Sequence, residues 1–193
     1  MSGGVFFLTK YFFCILLASI FYLQGCAGSS VINSNTNLTT FNVALQVNFI
    51  KQKSESLCGL ATIQMVADYY GKTLNASYTT LLEKEAKILN GITAASLKAC
   101  MNVSGFDTAV FQGKFDSSLQ GIYRHLDLKR PIIILVSEKV ETLGHYVIIV
   151  GYEVKSKSLL IINPGRGYTT IAEDNIISIW KNSSFLTIVA LPK

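Results

Sequence analysis

Apolar and polar residues follow two different rhythms along this chain. After residue 58, Ala61, Met65 and Tyr69 recur every four residues, with Ile63, Val66 and Tyr70 alongside, and Gly71 closes the run. That is the period of a helix with a buried face, ended by glycine where the chain must turn left-handed. A second helix is predicted over 79–89, where Glu83 and Lys87 form a favourable i,i+4 pair. Asn90 and Gly91 make a turn. Thr93 is placed to cap a third helix running to about Val103, and Asp116 to cap a fourth reaching about Leu128, before Pro131. The rhythm then changes. Ile132–Val136, His145–Glu153, Ser158–Asn163, 168–171 and 185–191 are short runs rich in Ile and Val, the signature of strands. Looser alternation predicts an entering strand over 42–50 and a short one over 105–111. A helix over Glu173–Trp180 precedes the last strand, with Trp180 expected to pack it on the sheet. Helices first and an antiparallel meander second is an α+β pattern, a helical half packed on a C-terminal sheet.

The N-terminus follows neither rhythm. Residues 1–25 carry one charge, Lys10, and from Tyr11 to Leu23 there are 13 residues without any. A membrane-spanning helix needs about 20 apolar residues and a signal-peptide core roughly 7–15, so 1–25 reads as an export signal. The sequence Leu23-Gln24-Gly25-Cys26 resembles a lipobox. That likeness implies lipidation of Cys26 and a mature chain of 26–193. Nine of the 14 residues 27–40 are Ser, Asn or Thr, with no charge. Such a stretch buries too little apolar surface to order itself, so 26–42 is expected to be a flexible tether and 43–193 the folded domain. The expected location is the cell envelope, lipid-anchored. In a Gram-negative organism Ala27 points by resemblance to the periplasmic face of the outer membrane.

Composition narrows the partners. The chain has 193 residues, enough for one domain with a tail. Half of them are hydrophobic, which excludes disorder as a description of the whole. The net charge of +5 is spread without a basic run, so no nucleic-acid partner is expected. Of four Cys, Cys14 leaves with the signal and Cys26 takes lipid, leaving Cys58 and Cys100. Two Cys and two His without close spacing do not make a structural zinc site, and neither metal nor organic cofactor is expected. Cys100, between Leu97 and Met101, reads as a core residue. A Cys58–Cys100 disulfide is the alternative that would abolish thiol chemistry. His125 reads as a packing or surface residue, and Arg166 as part of a turn.

Candidate chemistry gathers around Cys58. It opens the first helix, where backbone N–H groups and the helix dipole favour an anion, so its thiol pKa is expected to fall. Gly59 is expected to leave room for a substrate backbone. A thiol nucleophile needs a base, a group to orient the base, and donors for an oxyanion. His145 begins a strand and Asn163 ends the next, which sets them side by side. Asn163 can then fix the imidazole tautomer. Gln52, six residues before Cys58, and the Cys58 N–H can face the oxyanion.

Gln52, Cys58-Gly59, Tyr69-Tyr70-Gly71, Gly144-His145-Tyr146-Val147 and Asn163-Pro164 together closely resemble the bacteriocin-processing (double-glycine) cysteine peptidases of the papain-like clan. The resemblance runs over roughly 43–191. It implies a papain-like fold with Cys58 as nucleophile, His145 as general base and acid, Asn163 as orienting residue and Gln52 as oxyanion donor. Asn163 stands where the family usually has Asp. Many members are the N-terminal domain of an ABC exporter. This sequence carries no Walker motif and no membrane bundle, so a stand-alone, membrane-tethered relative is expected, without an ABC transporter domain. The expected function is cleavage of exported peptides or proteins, after small residues such as those of a double-glycine leader. The alternatives are transamidation on the same fold and a non-catalytic peptide-binding envelope lipoprotein.

Overall fold

The computed structural model describes residues 41–140 and 144–193. The export signal, Cys26 and almost all of the tether lie outside the described residues. The domain is α+β, with helices packed on a seven-stranded sheet whose strands all pair antiparallel. The chain runs β1 (Val43–Ala44), α1 (Cys58–Tyr69), α2 (Ala76–Leu89), α3 (Ala94–Val103), β2 (Phe106–Gln112) and α4 (Ile122–Asp127). It continues through β3 (Ile132–Val136), β4 (His145–Glu153), β5 (Ser158–Asn163), β6 (Gly167–Ala172), α5 (Glu173–Trp180) and β7 (Leu186–Pro192). Several predicted boundaries coincide with these, because strong periodicity and a capping residue agree there. Thr93 caps α3 by accepting from the Ser96 N–H at 3.2 Å. Gly71, at φ +66°, ends α1 as expected.

Across the sheet the order is β2-β7-β3-β4-β5-β6, with β1 pairing β4 off this path. The strands therefore do not form a simple meander. After β6, α5 carries the chain back over the sheet, and β7 inserts between β2 and β3. Trp180 anchors that return. It is fully buried, donates its indole N–H to the Leu186 carbonyl at 3.0 Å, and meets Phe115 and Phe185 edge to face. Burying an aromatic side chain of this kind contributes about 2–3 kcal/mol. Residues 146–152 of β4 are all buried, because α1 packs against this strand.

Two predicted elements came out differently. The entering strand over 42–50 pairs only at Val43–Ala44, followed by one further bond from the Leu45 N–H to the Val150 carbonyl. Beyond it the segment is pinned by a side chain instead. The Tyr168 hydroxyl donates to the Val47 carbonyl and accepts from the Val47 N–H. Asp116 does not cap α4. Its carboxylate accepts from the Ser118 N–H and hydroxyl, closing a turn, while α4 begins only after Gly121. The loop between them is held by Lys114 N–H to Gln120 and Ile122 N–H to the Lys114 carbonyl. A Cβ at Gly121 would run into the Asp116 backbone, so only glycine lets the loop close.

Candidate active site

Two elements, α1 and β4, meet at Cys58. It is the first residue of α1, it is buried, and its thiol lies within reach of the backbone N–H groups of Tyr146, Gly59 and Cys58 itself. Tyr146 follows His145, so the thiol sits against the start of β4, beside the histidine. Both Cys58 and Cys100 are free thiols, and no disulfide joins them.

Burial pushes the Cys58 thiol above the ordinary cysteine value, against the pull of those three N–H groups. The lowered value expected from the helix N-terminus is thus corrected: desolvation outweighs the backbone donors. Burial thus works against the thiolate, and a base that takes the proton opposes it. Gly59 also differs from expectation. It is buried, and a Cβ there would stand 3.0 Å from the Tyr146 ring and 3.1 Å from Leu97. Its lack of a side chain admits Tyr146 and Leu97 rather than a substrate.

His145 and Asn163 meet as the strand order predicts, since β4 and β5 are neighbours. His145 Nε2 lies 3.1 Å from Asn163 Oδ1. The Gly165 N–H donates to that same Asn163 atom at 2.9 Å. A backbone N–H can only donate, so the Asn163 atom must be the oxygen. His145 Nε2 must then carry the hydrogen. In the neutral ring this leaves the lone pair on Nδ1, the nitrogen able to take a proton from a thiol.

Gln52 is held against the same turn. Its backbone N–H donates to the Pro164 carbonyl at 3.0 Å. A Cβ placed on Gly165 would be 3.4 Å from Asn163 Oδ1 and 3.7 Å from Gln52 Oε1, so the three groups share one small space. The Gln52 amide points its Nε2 at the Ser54 carbonyl, 2.9 Å away, and leaves Oε1 buried without a partner. Buried polar atoms are rarely left so. Nε2 carries a second N–H beyond the one given to Ser54, and that is the amide's remaining donor.

His145, Asn163 and Gln52 therefore meet at one turn and Cys58 lies against Tyr146, the residue after His145, while Cys100 is apart in the core and His125 is buried near Phe111. Sequence reading missed Tyr146, whose N–H reaches the thiol and whose ring covers the first turn of α1. It also missed Gly165, which fixes the orientation of Asn163. The runs Gly-His-Tyr and Asn-Pro-Gly carried both signals.

An α+β domain with a thiol at a helix start and a His–Asn pair on neighbouring strands has the arrangement of a papain-like cysteine peptidase. The model of the Peptidase C39 family matches residues 46–190, and the chain belongs to this family of cysteine peptidases. The lactococcin-G-processing and transport ATP-binding protein LagD of Lactococcus lactis subsp. lactis is 29% identical over 119 residues. The match takes in 61% of this chain but only 15% of LagD's length. The peptidase domain of Streptococcus ComA, a bi-functional ABC transporter, superposes with a TM-score of 0.56 at 21% identity, covering 77% of this chain and 100% of that domain. A double glycine motif protease from an AMS/PCAT transporter, solved with its leader peptide, gives 0.55 at 18% identity, over 79% of this chain and 96% of its own. A Bacillus anthracis protein described as C39-like gives 0.54 at 16% identity, over 78% and 98%. These likenesses establish the papain-like fold.

Proposed function

We propose that the chain hydrolyses peptide bonds in exported peptides, after small residues such as those of a double-glycine leader, and that Cys58, His145, Asn163 and Gln52 carry the reaction. The observation supporting this most directly is the double acceptance at Asn163 Oδ1, which leaves His145 Nδ1 free for the thiol. His145 Nδ1 takes the Cys58 proton as the sulfur attacks the peptide carbonyl. The oxyanion is held by the Cys58 N–H and by the second N–H of Gln52 Nε2. The imidazolium then protonates the leaving amine, and water, deprotonated by His145, releases the acyl group from sulfur. Small side chains before the cleaved bond are in keeping with the leaders handled by the relatives.

The test is a synthetic leader peptide ending in Gly-Gly, extended by a short cargo and incubated with the full chain. Cleavage after the second glycine, absent in Cys58→Ala and in a peptide with both glycines replaced by valine, supports the reading. No cleavage and no thioester at Cys58 by mass spectrometry overturns it. Anchoring through lipid on Cys26 at the cell envelope is part of the same proposal and rests on the lipobox-like sequence. Incorporation of an alkyne-tagged fatty acid, lost in Cys26→Ser, would support it, and an unlabelled native chain would overturn it.

A further inference from the structure

A cavity of about 710 Å³ opens at the β2 edge of the sheet, between α3, β2, β7 and α4, and none of the four active-site residues lines it. Its volume falls in the range of small-molecule pockets. The chemistry of its wall is unusual. Across the described residues, six buried side-chain polar atoms have no hydrogen-bond partner in the protein. Four of them belong to residues of this wall: Asn102 Oδ1, Thr108 Oγ1 and both ring nitrogens of His125. His125 is 8% exposed and Thr108 is 9% exposed, so both are almost wholly removed from bulk water. Unpartnered buried donors and acceptors are costly, and a fold rarely collects several in one place without a ligand or solvent to meet them.

The charges point to the sign of that ligand. Lys98 lies one helical turn before Asn102 on α3, so both face the cavity, and Arg130 lines it from beyond α4. Neither cation is in an ion pair among the described residues. The remaining charged residues of the wall, Asp107 and Lys193, lie 3.7 Å apart and offset each other. Two uncompensated positive charges are left beside neutral donors. Apart from Gln120, the rest of the wall is apolar, with Phe111, Leu119, Val189 and Leu191. The Phe111 ring lies 5.7 Å from that of His125.

We propose that this cavity is a second binding site, for a small carboxylate with an apolar body. The carboxylate accepts from Arg130, Lys98, the Thr108 hydroxyl and one His125 N–H. The apolar body lies on Phe111, Val189 and Leu191. Asn102 completes the polar end with either face of its amide. The site works independently of cleavage, and its test does not use turnover.

The chain has only two histidines, so each gives its own signal when the imidazoles of the full chain are labelled with carbon-13. Hexanoate is the probe, with hexanol and inorganic phosphate as controls that carry only the apolar body or only the charge. The expected result is a saturable movement of the His125 signal across a millimolar range of hexanoate, with His145 unmoved and the His125 titration midpoint raised by the bound anion. Lys98→Ala, at an exposed position that leaves the fold intact, should weaken hexanoate binding roughly fivefold, as a single exposed charge pair would. Arg130→Ala should weaken it further. No movement of His125, movement of both histidines together, equal response to hexanol or to phosphate alone, or binding indifferent to Lys98→Ala would each overturn the proposal.

Discussion

The two histidines of this chain sit in opposite circumstances. His145 is half-buried at the open end of β4, and one of its nitrogens is committed to Asn163. His125 is buried on α4 and neither nitrogen makes a well-formed hydrogen bond within the protein, although the Leu119 carbonyl lies near the ring. One ring is oriented by its neighbours, so its free nitrogen has a defined task. The other is starved of partners, so burial, with repulsion from Arg130 and Arg124, holds it below the ordinary histidine value, while the nearby Leu119 carbonyl pulls the other way. A histidine becomes a base when the fold satisfies one nitrogen and aims the other. Burial alone only suppresses its charge.

The largest expected effect removes the group that His145 serves. Cys58→Ala should lower peptide cleavage by about 10⁴-fold or more, because the nucleophile of a concerted set is lost. Cys100→Ala, at a fully buried position outside the site, should leave kcat/KM close to native even though it lowers the thermal midpoint. Comparable loss of turnover in both would break the distinction between them. Gln52→Ala should follow, costing on the order of 10²-fold to 10³-fold in kcat with a smaller change in KM, as expected for a donor that acts on the oxyanion.

Asn163→Ala turns His145 into a second unpartnered imidazole, and so tests the comparison itself. One neutral hydrogen bond is worth about 1 kcal/mol, or roughly fivefold in rate. Asn163→Asp should restore the orientation. Its carboxylate also favours the imidazolium, so the acid limb of the kcat/KM profile should move to higher pH than in the native chain.

The smallest effect concerns His125 and stability. Its pKa is depressed in the folded chain, so the unfolded chain binds the proton first as pH falls. The stabilising contribution is full above the ordinary histidine value of about 6.5, and is lost as pH falls from there through the folded value. Thermal melts at pH 7.5 and pH 5 should show a fall that His125→Gln reduces. An unchanged pH dependence in that variant would show that another group is responsible.

Much of this arrangement was legible in the sequence because local rules and the final fold agree. Thr93 caps α3, Gly71 ends α1, and β3, β4, β5 and α5 begin and end where their patterns do. The nearness of His145 and Asn163 followed from adjacent strands of known length. What stayed illegible depends on contacts distant in the chain. Nothing in the pattern of 186–192 says that β7 enters between β2 and β3. The segment after β1 looks like a strand, yet one tyrosine from β6 takes the hydrogen bonds that a partner strand would have supplied. The helix start at Cys58 suggested a lowered thiol pKa, and only the packing of Tyr146 and Leu97 over that first turn reveals how strongly burial opposes it. His125 lies in a helix that the sequence begins too early, and its isolation shows only once the cavity wall is assembled.

The buried thiol gains its reactivity from His145 rather than from the helix alone. That dependence is tested by alkylating the full chain with iodoacetamide at pH 7 under reducing conditions, locating the label by mass spectrometry, and repeating the experiment with His145→Ala. Rapid labelling is expected at Cys58, none at Cys100 in the folded protein, and a marked slowing at Cys58 in the variant. Equal rates at Cys58 with and without His145, or an unreactive Cys58 in the native fold, would contradict it.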